Sequence, residues 1–319
     1  MLTVNSMPQS LLPDVKALFN LGREQAAPIF NNFGRITTIL ESNNETEEMD
    51  AIGSVPTWRK WTDERRAGGF KEYKYNIKNY PWEHTISLDR RLLTFEKTGQ
   101  IKMRATSAGA AFEKWLSKKI WSTLRAGSSL VCYDGQYFFD TDHSWSGTAQ
   151  SNYGGNSPLD ATNLAAAMAA MTKFTDEQGQ ALGIRPNLLV VGPDNEQTAW
   201  ELTKSQYNTG TASFKLNYFQ GLEYEVVPWI AGASTQNEWY LIDTTQVGAK
   251  PVIHTRVTPN PEITSQEKES FTGFNRNEYQ YGGYYDGGFG LGDWFTAYKS
   301  GMNDPTLTVE VNPSDYYAG

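Results

Sequence analysis

From Ile101 to Leu124 apolar residues return every three or four positions: Ile101, Ala105, Ala108, Phe112, Trp115, Leu116, Ile120 and Leu124 form one stripe. That spacing is the helical period and predicts a single helix of about 25 residues, near 38 Å long, with Gly127 as its C-terminal stop. An average helix is less than half as long, so this rod limits the architecture more than any other feature. Away from the stripe stand Lys102, Arg104, Lys114, Lys118, Lys119 and Arg125, with Glu113 as their acidic neighbour. A solvated face explains such a row, as does pairing with acids elsewhere.

Ahead of the rod the period changes to two. Tyr73, Tyr75 and Ile77 alternate with polar residues, Asn79-Tyr80-Pro81 reads as a turn, and Trp82, His84, Ile86 and Leu88 alternate again. The pattern predicts a hairpin with arms of about ten residues, roughly 30 Å long. A lone hairpin is marginal in water, so its aromatic face, Tyr75, Ile77, Tyr80 and Trp82, must lie on something. Further upstream, Leu12, Val15, Leu18 and Phe19 predict a short helix in an N-terminal arm. "ESNNETEEMD" (41–50) holds five acids and no base, and reads as a solvated loop.

Beyond the rod, residues 160–245 alternate between helical and strand patterns: "NLAAAMAAMTKF", "NLLVVG", a helix after "GPDNEQ", then "YEVVPWI" and "WYLIDT". This is a mixed α/β unit. "PVIHTRV" returns as a strand, followed by aromatic strand segments in "NEYQYGGYYDGGFGLGDWFTAYK". Their glycines mark bulges or close backbone approach. The tail after Lys299 has no basic residue and reads as an edge or extended arm.

Composition narrows the function. The chain of 319 residues carries a formal net charge of -8, the wrong sign for a free DNA-binding domain. With 39% hydrophobic and 13% aromatic residues it is too apolar to be disordered. No apolar run is long enough to span a membrane, and the start lacks the pattern of a secretory signal. One cysteine excludes an internal disulfide framework and fits a reducing cytoplasm.

"CYDGQYFFDTDH" (132–143) concentrates residue types that serve metals and catalysis. A calcium loop starting at Asp140 would need glycine at its sixth place and glutamate at its twelfth, where Trp145 and Ser151 stand. Zinc would need a second ligand pair, and His84 and His254 are scattered. Cys132 with His143 could be a nucleophile and its base, and a hydrolase using Cys132, Asp134, Asp140 or His143 is the rival enzyme reading. The simpler reading makes Cys132 a buried hydrophobe, Asp134-Gly135 a tight turn, and Asp140 and Asp142 loop caps. "GGFGLG" (287–292) lacks the lysine and following helix of a phosphate loop. No catalytic, metal or cofactor site is assigned.

Three blocks carry a resemblance. "PTWRKWTDERR…YKYNIKNYPWEHTISLDRRLL", "LVCYDGQYFFDTDH…SN" and "FNRNEYQYGGYYDGGFGLGDWFTAYK" are each similar to the Mu-like phage major head subunit family. The resemblance implies the α+β capsid fold of tailed bacteriophages and herpesviruses. On that template, 1–64 is an N-terminal arm and linker, and 93–158 the peripheral domain with its spine helix. Residues 65–92 are the extended hairpin loop, whose face of Tyr75, Ile77, Tyr80 and Trp82 is then expected to bury itself on a neighbouring subunit. Residues 159–247 form the axial domain, 248–299 the return strands of the peripheral domain, and 300–319 a C-terminal tail. The implied function is a structural one: pentamers and hexamers of an icosahedral head around double-stranded DNA, built in the cytoplasm of a bacterial host. The implied partners are copies of itself, a separate scaffolding protein, a portal, a head-maturation protease and the packaged DNA, with no membrane. Lys102, Arg104, Lys114, Lys118, Lys119 and Arg125 are then expected on the inner, DNA-facing surface. A cellular nanocompartment shell of the same fold is the related alternative.

Overall fold

The structure is a computed structural model and describes residues 12–52, 72–89, 99–143, 147–206, 216–230, 238–246, 248, 250–266 and 278–301. Helix α1 (Leu12–Phe30) lies against helix α2 (Gly99–Ala126), the 28-residue rod that the apolar stripe predicts. Their contact is backbone to backbone. A Cβ on Gly22 would lie 2.0 Å from the Thr106 carbonyl oxygen, and one on Gly109 would lie 2.0 Å from that of Phe19. Val15, Phe19, Ala105 and Ala108 are buried around this crossing. Gly127 follows α2, but with an ordinary negative-φ backbone; a Cβ there would crowd Phe138 and Phe139 at 3.0 Å. It is a packing site more than a left-handed cap.

Five strands form the first sheet. β1 (Thr37–Glu41) runs parallel to β8 (Val252–Arg256), and β8 pairs with the far end of β10 (Glu278–Leu291). β4 (Tyr80–Asp89) lines the other edge of β10, while β9 (Glu262–Gln266) continues the edge held by β8. A separate ribbon pairs β2 (Thr46–Ile52) with β3 (Glu72–Lys78). The second sheet has the order β11-β7-β5-β6, from Ala297–Ser300, Trp239–Ile242, Leu188–Val191 and Glu223–Val226. Helices α3 (Ala161–Thr172) and α4 (Glu196–Lys204) accompany it. Asp160 caps α3, accepting from the Asn163 N–H at 2.8 Å.

Four expectations change. Residues 12–41, read as part of an arm, pack on α2 and supply β1, because the apolar side of α1 buries itself in its own chain. The acidic stretch 41–50 closes β1 and opens β2: ladder pairing uses backbone groups and tolerates exposed acids. The hairpin expected over 65–92 does not form, since β3 pairs with β2 and β4 with β10. The segment 248–299 is divided, because β11 adds to β7 of the second sheet.

Candidate functional site

Asn79 separates β3 from β4 and explains why they diverge. It is 5% exposed. Its Nδ2 donates to Ser42 Oγ and to the Asn44 carbonyl, both at 2.8 Å, and its Oδ1 accepts from Thr255 Oγ1 at 2.6 Å. Its backbone N–H donates to the Glu45 carbonyl at 2.9 Å. Gly288 completes the crossing, since a Cβ there would lie 2.5 Å from the Lys78 oxygen. The turn expected at Asn79-Tyr80-Pro81 is absent, since Tyr80 and Pro81 already belong to β4; the buried polar knot directs the two strands to different partners. The β2–β3 ribbon therefore leaves the sheet at a rigid root.

The four residues expected as one exposed face are distributed differently. Ile77 is fully buried within its own chain. Trp82 is half-buried: its ring lies 5.1 Å from Trp115 of α2, and its Nε1 donates to the Gly287 carbonyl at 3.2 Å. Tyr80 is half-buried, with Lys78 Nζ 5.3 Å above its ring. Tyr75 sits opposite Met49 in the ribbon ladder, and its side chain lies outside the described residues. Of the four, Trp82 is the one that packs on α2.

The basic row of α2 also divides. Lys102, Arg104, Lys114 and Lys118 are exposed, and Lys114 lies 5.8 Å from the Trp229 ring. Lys119 and Arg125 are 4% and 6% exposed. The last turns of α2 are enclosed on all sides, so cations there point into protein. Lys119 Nζ stands 4.4 Å over the Trp82 ring. Arg125 makes a two-pronged pair with Glu238, Nε to Oε1 at 3.0 Å and Nη2 to Oε2 at 2.7 Å. The acid of the row, Glu113, is buried and meets Arg23 of α1 at 2.8 Å.

Arg125 belongs to a buried junction between α2 and the second sheet. Tyr240 donates its hydroxyl proton to Glu238, and burial pushes that phenol well above its ordinary range. Lys299 of β11 donates to Ser128 Oγ at 2.9 Å and lies 3.8 Å from Glu238. Burial pushes Lys299 down to about 8, against the pull of Glu238. Sequence reading passed over Glu238 and Lys299. Their signal was a lone charge beside each of two otherwise apolar strands, "EWYLI" and "TAYK".

The 132–143 segment is a loop packed against Gly292 and Trp294. Gly135, at φ +85°, closes the tight turn, its N–H donating to the Cys132 carbonyl at 3.0 Å. Asp140 accepts from the backbone N–H groups of Thr141 at 2.7 Å and Tyr137 at 3.3 Å. His143 is fully buried, with Nδ1 2.6 Å from Asp134 and its ring stacked 4.1 Å from Trp294. Burial raises the Cys132 thiol well above its ordinary value, and its polar contact is the Gly292 carbonyl at 3.9 Å. His254, far along the chain, donates from Nδ1 to the Gly288 carbonyl at 2.8 Å, has Nε2 2.7 Å from the Tyr285 hydroxyl, and is pushed down to about 4 by burial. Among the described residues, no three His, Cys, Asp or Glu side chains gather into a metal-holding group. Among them, too, no helix is long and apolar enough to cross a membrane.

The comparisons with known proteins agree with this geometry. The chain matches the family model for the Mu-like prophage major head subunit gpT over residues 9–157, 146–230 and 221–310. The Mu-like prophage FluMu major head subunit of Haemophilus influenzae is 28% identical over 139 residues, 42% of this chain and 45% of that protein. The major capsid protein of Escherichia phage Mu is 24% identical over 135 residues, 42% of this chain and 43% of that protein. The chain therefore spans less than half the length of these two relatives. Among solved structures, the procapsid of bacteriophage JBD30 matches with a TM-score of 0.51 at 21% identity, over 95% of this chain and 79% of that one. A virus-like particle from Pyrococcus furiosus matches with a TM-score of 0.54 at 10% identity, over 91% and 99%. The fold is the α+β capsid fold. With nearly its whole length matched by the family model, the chain belongs to the Mu-like prophage major head subunit gpT family.

Proposed function

We propose that this chain is the major capsid subunit of a phage or prophage head, assembling as pentamers and hexamers into an icosahedral shell around double-stranded DNA. The observation that carries the reading is the β2–β3 ribbon. Its strands pair only with each other among the described residues, and it stands on a rigid buried root. Membership of the family supports the same reading. The subunit works by binding geometry and not by turnover, in keeping with Cys132 and His143 each being engaged by other groups. A scaffolding protein, a portal and a head-maturation protease are its expected partners, and the host cytoplasm its place of assembly. Lys102, Arg104, Lys114 and Lys118 are the cations that could meet packaged DNA or acids of a neighbouring subunit. Electron microscopy of the purified protein at high concentration, with and without scaffold, tests this. Closed shells support it, and a persistent monomer under both conditions refutes it. Particles filled with a cargo enzyme and free of DNA would favour a nanocompartment instead.

A further inference from the structure

β4 ends the first sheet. Among the described residues it pairs with β10 on one side, and no strand lies on the other. An open edge of this length recruits strands, because its outward N–H and C=O groups lack ladder partners. Beneath α1 and α2 an apolar cleft of 290 Å³ runs over one face of β4, β10 and β9, lined by Phe19, Trp82, Ile86, Phe112, Ile263 and Tyr281 among others. The cleft continues over Ala111, Arg104 and Met103, and Met103 is 68% exposed. Trp82, His84 and Ile86 share one face of β4 and all line the cleft. A strand added beside β4 would send every second side chain into the same space.

A segment with that pattern lies near the end of the sequence, outside the described residues. In Thr306-Leu307-Thr308-Val309-Glu310-Val311, apolar and polar residues alternate between Pro305 and Pro313. Residues 302–319 carry Asp304, Glu310 and Asp315 and no base, while Arg104 lines the cleft beside the β4 edge. Placed with Val309 beside Met103, the segment cannot come from the same copy. Lys299 is tied to Ser128 at one end of α2, and Met103 lies about 37 Å back along that helix. The chain from Gly301 to Val309 extends at most about 28 Å.

We propose that residues 306–311 of a neighbouring copy add as a strand to the open edge of β4, placing Leu307, Val309 and Val311 in the cleft. This rests on the shell reading above. The test uses the full chain under conditions where the unaltered protein forms shells. One chain carries Met103→Cys, a second carries Val309→Cys, and the two are co-assembled and mildly oxidised. Cys132 is buried and leaves the introduced thiols as the accessible pair. The expected result is a disulfide-linked dimer that neither variant gives alone. In parallel, Leu307→Asp with Val309→Asp should lower shell yield by about tenfold or more, because a carboxylate would enter an apolar cleft. Thr306→Asp with Thr308→Asp should change it less than about twofold, since that face looks outward. Absence of the mixed dimer, equal damage from both pairs, or normal shells after deleting 302–319 would overturn the proposal. Failure of the unaltered chain to form shells would instead overturn the capsid reading itself.

Discussion

The two sheets encode their partners in opposite ways. β5, β7 and β11 of the second sheet are buried at every position, and their apolar runs have one stable destination, the interior of a covered sheet. β9 and β10 of the first sheet mix buried with exposed positions, and the described side chains of β4 are half-buried or exposed. For them an alternating pattern specifies a strand without specifying its neighbour. That choice is made at a few polar and glycine positions, above all Asn79 and Gly288. The second sheet is thus held by bulk burial with one charged junction, and the first by a knot of hydrogen bonds.

The largest test of this contrast is Glu238→Ala. It leaves Arg125 and Lys299 as buried cations without their carboxylate, and should cost about 3–5 kcal/mol in chemical denaturation. A loss below about 1 kcal/mol would mean that water reaches the junction. Asn79→Leu comes next. It removes the amide that bonds Ser42, the Asn44 carbonyl and Thr255, and should cost about 2–4 kcal/mol. Because the knot directs the ribbon, shell assembly should fail even at temperatures where the subunit remains folded. Trp82→Ala should cost about 1.5–3 kcal/mol through lost packing on Trp115. Subunit melting and shell assembly should then fall together, whereas an assembly defect alone would return Trp82 to an intersubunit role.

Titration separates the sheets further. His254 of the first sheet has a folded value of about 4 against an ordinary 6.5. The unfolded chain binds that proton first, so this contribution is complete above pH 6.5 and lost as pH falls towards 4. Lys299 of the second sheet, at about 8 against 10.5, contributes fully above pH 10.5 and loses that contribution as pH falls to 8. Subtracting the profile of His254→Gln from that of the parent should show only the acid window, and Lys299→Met only the alkaline one. The smallest effect belongs to the exposed cations. Lys114→Gln with Lys118→Gln should change subunit stability by less than about 0.5 kcal/mol. Filled particles should become less heat-stable if these residues meet DNA, and empty shells should fail to close if they meet neighbouring subunits.

What was legible in the sequence follows the same division. The α2 stripe, the apolar strands 188–191 and 239–242 and the turn at Gly135 were all readable, because each depends on residues near one another in the chain. The pairing of β3 with β2 was not, since Asn79 finds Thr255 across 176 positions. Nor was the burial of Lys119 and Arg125, because a helical wheel shows which residues share a side but not how far a neighbouring sheet wraps around it.

The glycine notches of α1 and α2 have a mechanical consequence. At Gly22 and Gly109 each helix receives a carbonyl of the other directly against its backbone, and Arg23 with Glu113 bolts the pair alongside. Two rods merely lying together can slide, and then bend almost as independently as one. Rods keyed at two points resist shear, so they flex as a single thicker beam. In a curved wall, a push arriving at one end of α2 would be delivered at the other with little loss to bending.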